Sequence, residues 1–232
     1  IDTVSLSFYT IINDTVSTIW GKYMSINSKE LITARREEII NACEQLYKTM
    51  NFKDITIKEI GNVTSFKRTS IYNYFQTKEE IFLALMQREY DFWNDDLQEL
   101  LNENSVFSID ELADTLAHTL EKRVLLLKLL AMNLYDIEEN SRTEKLTEFK
   151  HSYKKAINLL ECILEKFCSN LSAQERQEFI YAFLPFLFGV YPYTFATEKQ
   201  IKAMDNAKLN YPDYSIYELI VNFVKKLFKG IV

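Results

Sequence analysis

The sequence predicts an all-α protein, and three observations carry that expectation. Its 232 residues are 47% hydrophobic yet include only four Gly and three Pro, too few for a turn-rich β architecture. Apolar residues recur at helical spacing through most of the chain. Segment after segment opens on Ser or Thr with Glu three residues later, the spacing at which a hydroxyl and a carboxylate satisfy the free amides of a helix start.

Residues 1–23 are β-branched and aromatic, with little charge and no helical period. They lack the basic and continuous apolar regions of a signal peptide. Because Met24 opens a stretch that reads like a natural protein start, 1–23 is expected to be a disordered or artefactual extension. The first helix is expected over about 31–50, with Ile39, Ile40, Cys43, Leu46 and Tyr47 forming its apolar stripe. Asn51 then stands where a left-handed residue would stop it.

The segment from Ile55 to Phe82 holds the densest signal. Thr56 and Glu59 have capping spacing, and Ile57 and Ile60 follow on one face. After a polar turn comes the run Lys67-Arg68-Thr69-Ser70-Ile71-Tyr72-Asn73-Tyr74-Phe75, with Ile71 and Phe75 one helical turn apart on the inward side. Thr77 and Glu80 repeat the capping signal for a helix over about 78–101. This is the layout of a three-helix helix-turn-helix domain, assigned to residues 24–76. The remainder, 77–232, is expected to form a second helical domain. Ser108/Glu111, Ser141/Glu144, Ser172/Glu175 and Ser215/Glu218 mark helix starts, giving helices near 108–120, 122–138, 142–168, 173–196 and 214–229. Pro185 should kink or break the fourth of these, and 197–214 reads as a polar connector with one helical turn.

The run Tyr72-Asn73-Tyr74-Phe75-Gln76-Thr77-Lys78, set behind Ile57-Lys58-Glu59-Ile60 and ahead of Glu79-Glu80-Ile81-Phe82, resembles the N-terminal domain of TetR-family (tetracycline-repressor-like) transcriptional regulators. The likeness covers roughly Ala34 to Gln87. It implies a ligand-responsive DNA-binding regulator, by the family's habit a repressor, that grips a palindromic operator as a homodimer. It also implies a C-terminal domain for effector binding and dimerisation, a cytoplasmic location, and phosphate contacts from Tyr72 and Lys78. Two positions depart from the family pattern: Ser65 replaces a turn Gly, and Lys67 replaces the usual Ser or Thr at the recognition-helix start. Ser65 is expected to cap instead.

Side-chain chemistry adds the other DNA candidates. Arg68 can reach guanine acceptors, Asn73 can pair with adenine, and the Thr69 methyl can meet thymine. Lys67 and Ser70 flank them, and Thr56 can offer a hydroxyl to the backbone. In the aromatic-rich C-terminal part, Trp93, Tyr135 and Tyr153 carry polar handles and are the candidate effector-pocket residues. Most of the other rings there read as core. In the last helix Ile216, Leu219, Ile220, Phe223 and Leu227 form a stripe, widened by Val224 and Phe228, broad enough for a homodimer interface.

Charge is divided. Residues 24–90 hold ten Lys and Arg against nine Asp and Glu, whereas 91–232 hold sixteen against twenty-two. Acid is therefore concentrated away from the reading head. Cys43, Cys162 and Cys168 lack metal-ligand spacing and read as reduced thiols, and His118 and His151 as surface residues. No metal or cofactor is expected. Without a Gly-rich phosphate loop, a nucleophile elbow or a His-Glu metal motif, catalysis is not expected either. No apolar run is long enough for a membrane span. The competing reading is a helical protein-protein adaptor with a degenerate DNA-binding head.

Overall fold

A computed structural model of the chain describes residues 29–132 and 134–231, and every regular element among them is helical. The 1–23 extension lies outside these residues. The chain packs as two units, the first ending at Ile81 and the second beginning at Phe82.

The first unit holds α1 (residues 29–49), α2 (Ile57–Val63), a six-residue 3₁₀ helix η1 (Arg68–Asn73) and the start of α3 (Lys78–Asn102). Its core holds most of the set the spacing selects, with Leu46 and Ile57 only half-buried. Ile39, Ile40, Cys43, Tyr47, Ile55, Ile60, Ile71 and Phe75 are all buried. Asn51 does not take the left-handed conformation, because the one positive φ among the described non-glycine residues is at Lys208. α1 instead ends through Met50 N–H to the Leu46 carbonyl, and Asn51 opens a turn closed by Asp54 N–H at 3.0 Å.

The second unit contains the rest of α3 followed by α4 (Ile109–Glu121), α5 (Val124–Leu130), α6 (Leu134–Glu139), α7 (Thr143–Phe167), α8 (Ala173–Thr194), α9 (Glu198–Asn206) and α10 (Ile216–Ile231). Several ties fix α3 among its neighbours. Trp93 Nε1 donates to Thr119 Oγ1 of α4 at 3.1 Å. Asn94 Nδ2 donates to the Ser152 carbonyl of α7 at 3.0 Å. The nearly buried Asp96 carboxylate pairs with Arg123 and Lys122, each at 2.6 Å. α10 packs on α4 and α8 through Ile216, Ile220, Val224 and Phe228, all buried.

Four sequence expectations need correction. The helix expected over 122–138 is two, since Ala131 N–H turns back to Leu127 and Met132 N–H to Leu129, closing α5. Ser141 does not cap α7: its hydroxyl donates to the Ile137 carbonyl at 2.7 Å, and Arg142 occupies the cap position. Pro185 does not break α8, which continues through it and through Pro192. The expected connector holds nine-residue α9, capped reciprocally by Thr197 and Gln200 and ended by Lys208 in the left-handed region at φ 52°. Lys208 N–H reaches the Asp205 carbonyl and Leu209 N–H the Met204 carbonyl, the double closure usually built on Gly.

The capping boxes at Ser108/Glu111 and Ser172/Glu175 are complete, and Ser215/Glu218 makes the same reciprocal bonds. Amide and hydroxyl of Ser108 and of Ser215 hold Glu111 and Glu218 below the ordinary carboxylate range, and the Ser172 hydroxyl and amide do so for Glu175. A carboxylate with a lowered folded pKa stabilises fully above its unfolded pKa of about 4.3, and that contribution is lost as pH falls through the folded value. The triple variant Glu111→Gln, Glu175→Gln, Glu218→Gln should therefore lose less melting temperature than the parent between about pH 6 and pH 3. Thermal melts by circular dichroism would measure this.

Candidate nucleic-acid interface and effector cavity

The reading head is built from α2, η1 and the start of α3. Thr56 caps α2 by accepting from Lys58 and Glu59 amides at 3.2 and 3.4 Å. Thr64 and Ser65 then turn the chain. Ser65 does not cap the next helix, whose cap position falls two residues later, and its amide donates to the Glu38 carboxylate of α1. Lys67 occupies the cap position of η1 in extended backbone, without a side-chain cap bond. With no capping side chain and only six residues, η1 winds tightly: Ser70 N–H reaches the Lys67 carbonyl at 2.8 Å and Tyr74 N–H the Ile71 carbonyl at 2.9 Å.

That winding regroups the side chains. At three residues per turn Thr69 and Tyr72 eclipse one another, as do Lys67, Ser70 and Asn73. Ile71 and Phe75 are fully buried, and Tyr74 is half-buried. Lys67, Arg68, Thr69, Tyr72 and Asn73 are exposed, with Tyr72 47% accessible, while Ser70 is half-buried. The Arg36 guanidinium lies 5.7 Å from the centre of the Phe75 ring behind η1.

Thr56 and Lys78 come together at a second place. The Lys78 ammonium donates to the Phe52 and Ile55 carbonyls at 2.8 and 3.1 Å, the latter beside Thr56, and lies 4.1 Å from the Phe52 ring centre. Two of its three N–H bonds are thus used inside the head. The Thr77 hydroxyl accepts from Glu80 N–H, and the buried Glu80 carboxylate accepts from Gln76 N–H at 2.8 Å.

Gly61 was not singled out from sequence. A Cβ there would lie 2.9 Å from Arg68 Cβ and 3.2 Å from Arg68 Cα. Its hydrogen therefore sets how closely η1 approaches α2. A Gly inside an otherwise helical Ile57–Val63 pattern is the signal that could have flagged it.

In the second unit a cavity of about 110 Å³ is lined by Tyr90, Leu130, Leu134, Phe149, Lys150, Tyr153 and Phe188. Tyr90 meets Phe149 and Tyr153 edge to face at 5.8 and 5.6 Å. Burial, and then Tyr153 beside it, pushes the Tyr90 phenol far above its usual range; burial also raises Tyr153, so both stay neutral. Of the three pocket candidates, Tyr153 lines this cavity. Trp93 is buried against Thr119, and Tyr135 is 85% accessible at the surface. Cys43 and Cys168 are buried and Cys162 is exposed, and among the described residues no group of His, Cys, Asp or Glu is placed to hold a metal ion.

A helix-turn-helix head followed by a larger helical body is the architecture of one-component transcriptional regulators. The sequence profile described as "Tetracyclin repressor-like, C-terminal domain" matches residues 87–232. The chain therefore belongs to the tetracycline-repressor-like (TetR) family, and it is a DNA-binding transcriptional regulator of that family. No curated protein sequence matches it. Among solved structures it is similar to the Thermus thermophilus FadR repressor in complex with lauroyl-CoA, at 17% identity and a TM-score of 0.56, covering 85% of this chain and 95% of that one. It is also similar to Bacillus subtilis FadR in complex with stearoyl-CoA, at 20% identity and 0.51, covering 84% and 99%. A third is SmeT, repressor of a Stenotrophomonas maltophilia multidrug efflux pump, at 15% identity and 0.52, covering 86% and 91%. At these identities the likeness is one of fold. No single helix among the described residues is long and apolar enough to cross a membrane.

Gly61→Ala should lower the stability of the head by about 1–3 kcal/mol, since backbone on both sides must shift. Gly189→Ala is the matched control. Its new Cβ meets nothing within 4 Å, so it should stabilise α8 by up to about 1 kcal/mol. Chemical denaturation of both variants tests the pair.

Proposed function

We propose that the chain is a ligand-responsive repressor that binds a palindromic operator as a homodimer and releases it when a small molecule occupies the α3–α8 cavity. One observation carries the DNA reading: five polar or aromatic side chains, Lys67, Arg68, Thr69, Tyr72 and Asn73, stand exposed on η1 while Ile71 and Phe75 anchor it from behind. Arg68, Thr69 and Asn73 are the proposed base readers. Tyr72, Lys67, Ser70, Thr56 and Lys78 are the proposed backbone contacts. Residues 24–76 act as the DNA-binding domain and 77–232 as the effector and dimerisation domain, and the protein works in the cytoplasm.

Support for a homodimer comes from α8 and α10. Leu219, Phe223 and Leu227 of α10 are only half-buried, and Phe223 stacks on Phe186 of α8 at 3.8 Å and 9°. Tyr181 and Tyr193 of α8 are exposed. A palindromic operator requires the two reading heads of such a dimer to stand about 34 Å apart, one DNA turn.

Support for effector control comes from the cavity's size and from α3. At about 110 Å³ it is smaller than the ~300–1,000 Å³ of occupied ligand sites, so a ligand has to push its walls apart. Tyr90, one of those walls, lies on the helix whose first residue is Lys78. Displacing α3 then weakens operator binding by a coupling of about 1–3 kcal/mol. Acyl-CoA, the ligand class held by the two FadR structures, is the first effector to test.

Gel shifts on the DNA upstream of the chain's own gene, at two salt concentrations, test the reading. Arg68→Ala should cost about 1–3 kcal/mol and relax base preference, and Asn73→Ala should change that preference. Tyr72→Phe should weaken all sequences alike. Unaltered selectivity in both Arg68→Ala and Asn73→Ala would remove η1 as the reader. Light scattering that gives a single-chain mass would remove the dimer.

A further inference from the structure

The cavity's chemistry narrows the ligand. Lys150 is the one charged residue lining it, and the other six are tyrosine, phenylalanine or leucine. The Lys150 ammonium lies 5.2 Å from the Phe149 ring centre and 5.8 Å from that of Tyr153, at the edge of the aromatic wall. It is exposed on its outer side and pairs with Glu138 of α6 at 2.6 Å. α6 also supplies Leu134 to the cavity lining. The Lys150–Glu138 pair therefore bridges two elements that form the cavity, one of which is only six residues long.

A second cation lies close by. Lys154 lies one helical turn beyond Lys150 on the same face of α7 and is exposed. The two lysines share this face although residues 91–232 as a whole are acidic.

We propose that the effector is an amphipathic anion, an acyl chain with a carboxylate or phosphate-bearing head, whose tail enters between the rings of Tyr90, Phe149 and Tyr153 while its head takes the Lys150 ammonium from Glu138 and frees α6 to move. This deepens the effector reading above and rests on it. The half-exposed Lys150–Glu138 pair costs little to break, and tail burial adds roughly fourfold in affinity per methylene. The head supplies the selection, because a neutral or cationic head cannot displace the carboxylate.

Calorimetric titration of the full chain with decanoate, decanoyl-CoA, 1-decanol and decyltrimethylammonium tests it. Decanoate or decanoyl-CoA should bind at least about tenfold more tightly than decanol. The two anions tell a free fatty acid from its thioester, and tight binding of either supports the proposal. Lys150→Met should remove the preference for the anion over decanol. Glu138→Gln, which removes the competing carboxylate, should tighten anion binding severalfold and leave decanol unchanged. These opposite signs are the decisive readout. A pair that merely tied α6 to α7 would respond the same way to either substitution, and that result overturns the proposal. So does equal binding of all four probes, tighter binding of the cation, or no binding at all. Gel shifts on the same samples keep the two readings apart. Anion binding without DNA release leaves the site standing and removes its effector role, and absence of DNA binding in every sample removes the regulator reading alone.

Discussion

The Lys78 ammonium is the contact on which the head depends. Between α1 and α2 the chain runs through residues that no helix hydrogen-bonds, and a buried carbonyl left without a donor is costly. Lys78 supplies donors to two of them, Phe52 and Ile55, and rests on the Phe52 ring. The first residue of α3 is thereby fastened to the turn that leads into α2. α2 in turn sets η1 through the close approach of Gly61 to Arg68. Lys78, from which this series of placements starts, also begins one of the two longest helices among the described residues, the other being α7.

How much of this could be read from residues alone depends on how local the cause is. Capping at Ser108, Ser172 and Ser215 is legible because donor and acceptor lie three residues apart. Ser141 carries the same spacing and fails, since a carbonyl four residues upstream competes for its hydroxyl. α9 escapes because none of its residues is buried, so it leaves no apolar period, and its cap uses Gln200 rather than Glu. The buried half of η1 is legible from Ile71 and Phe75. Its winding is not, because an α and a 3₁₀ turn differ by one step in the hydrogen-bond partner. The inward engagement of Lys78 was hidden for the opposite reason: its acceptors lie 26 and 23 residues away.

The cavity shows how an aromatic core can double as a ligand site. Rings that pack edge to face are held by geometry as much as by burial, so they can part and re-form around a guest. Tyr153 was legible as a candidate through its polar handle. Tyr90 and Lys150, which carry more of the argument, were not, because only the packing of α3 against α7 brings them to one wall.

The tight winding of η1 also fixes its reach. A 3₁₀ helix advances about 2.0 Å per residue and an α-helix about 1.5 Å, so six residues span ~12 Å instead of ~9 Å. Base pairs stack every ~3.4 Å. Laid along a groove, the same six side chains extend over between three and four steps of the ladder rather than fewer than three, which lengthens the stretch of sequence a single short segment can sample.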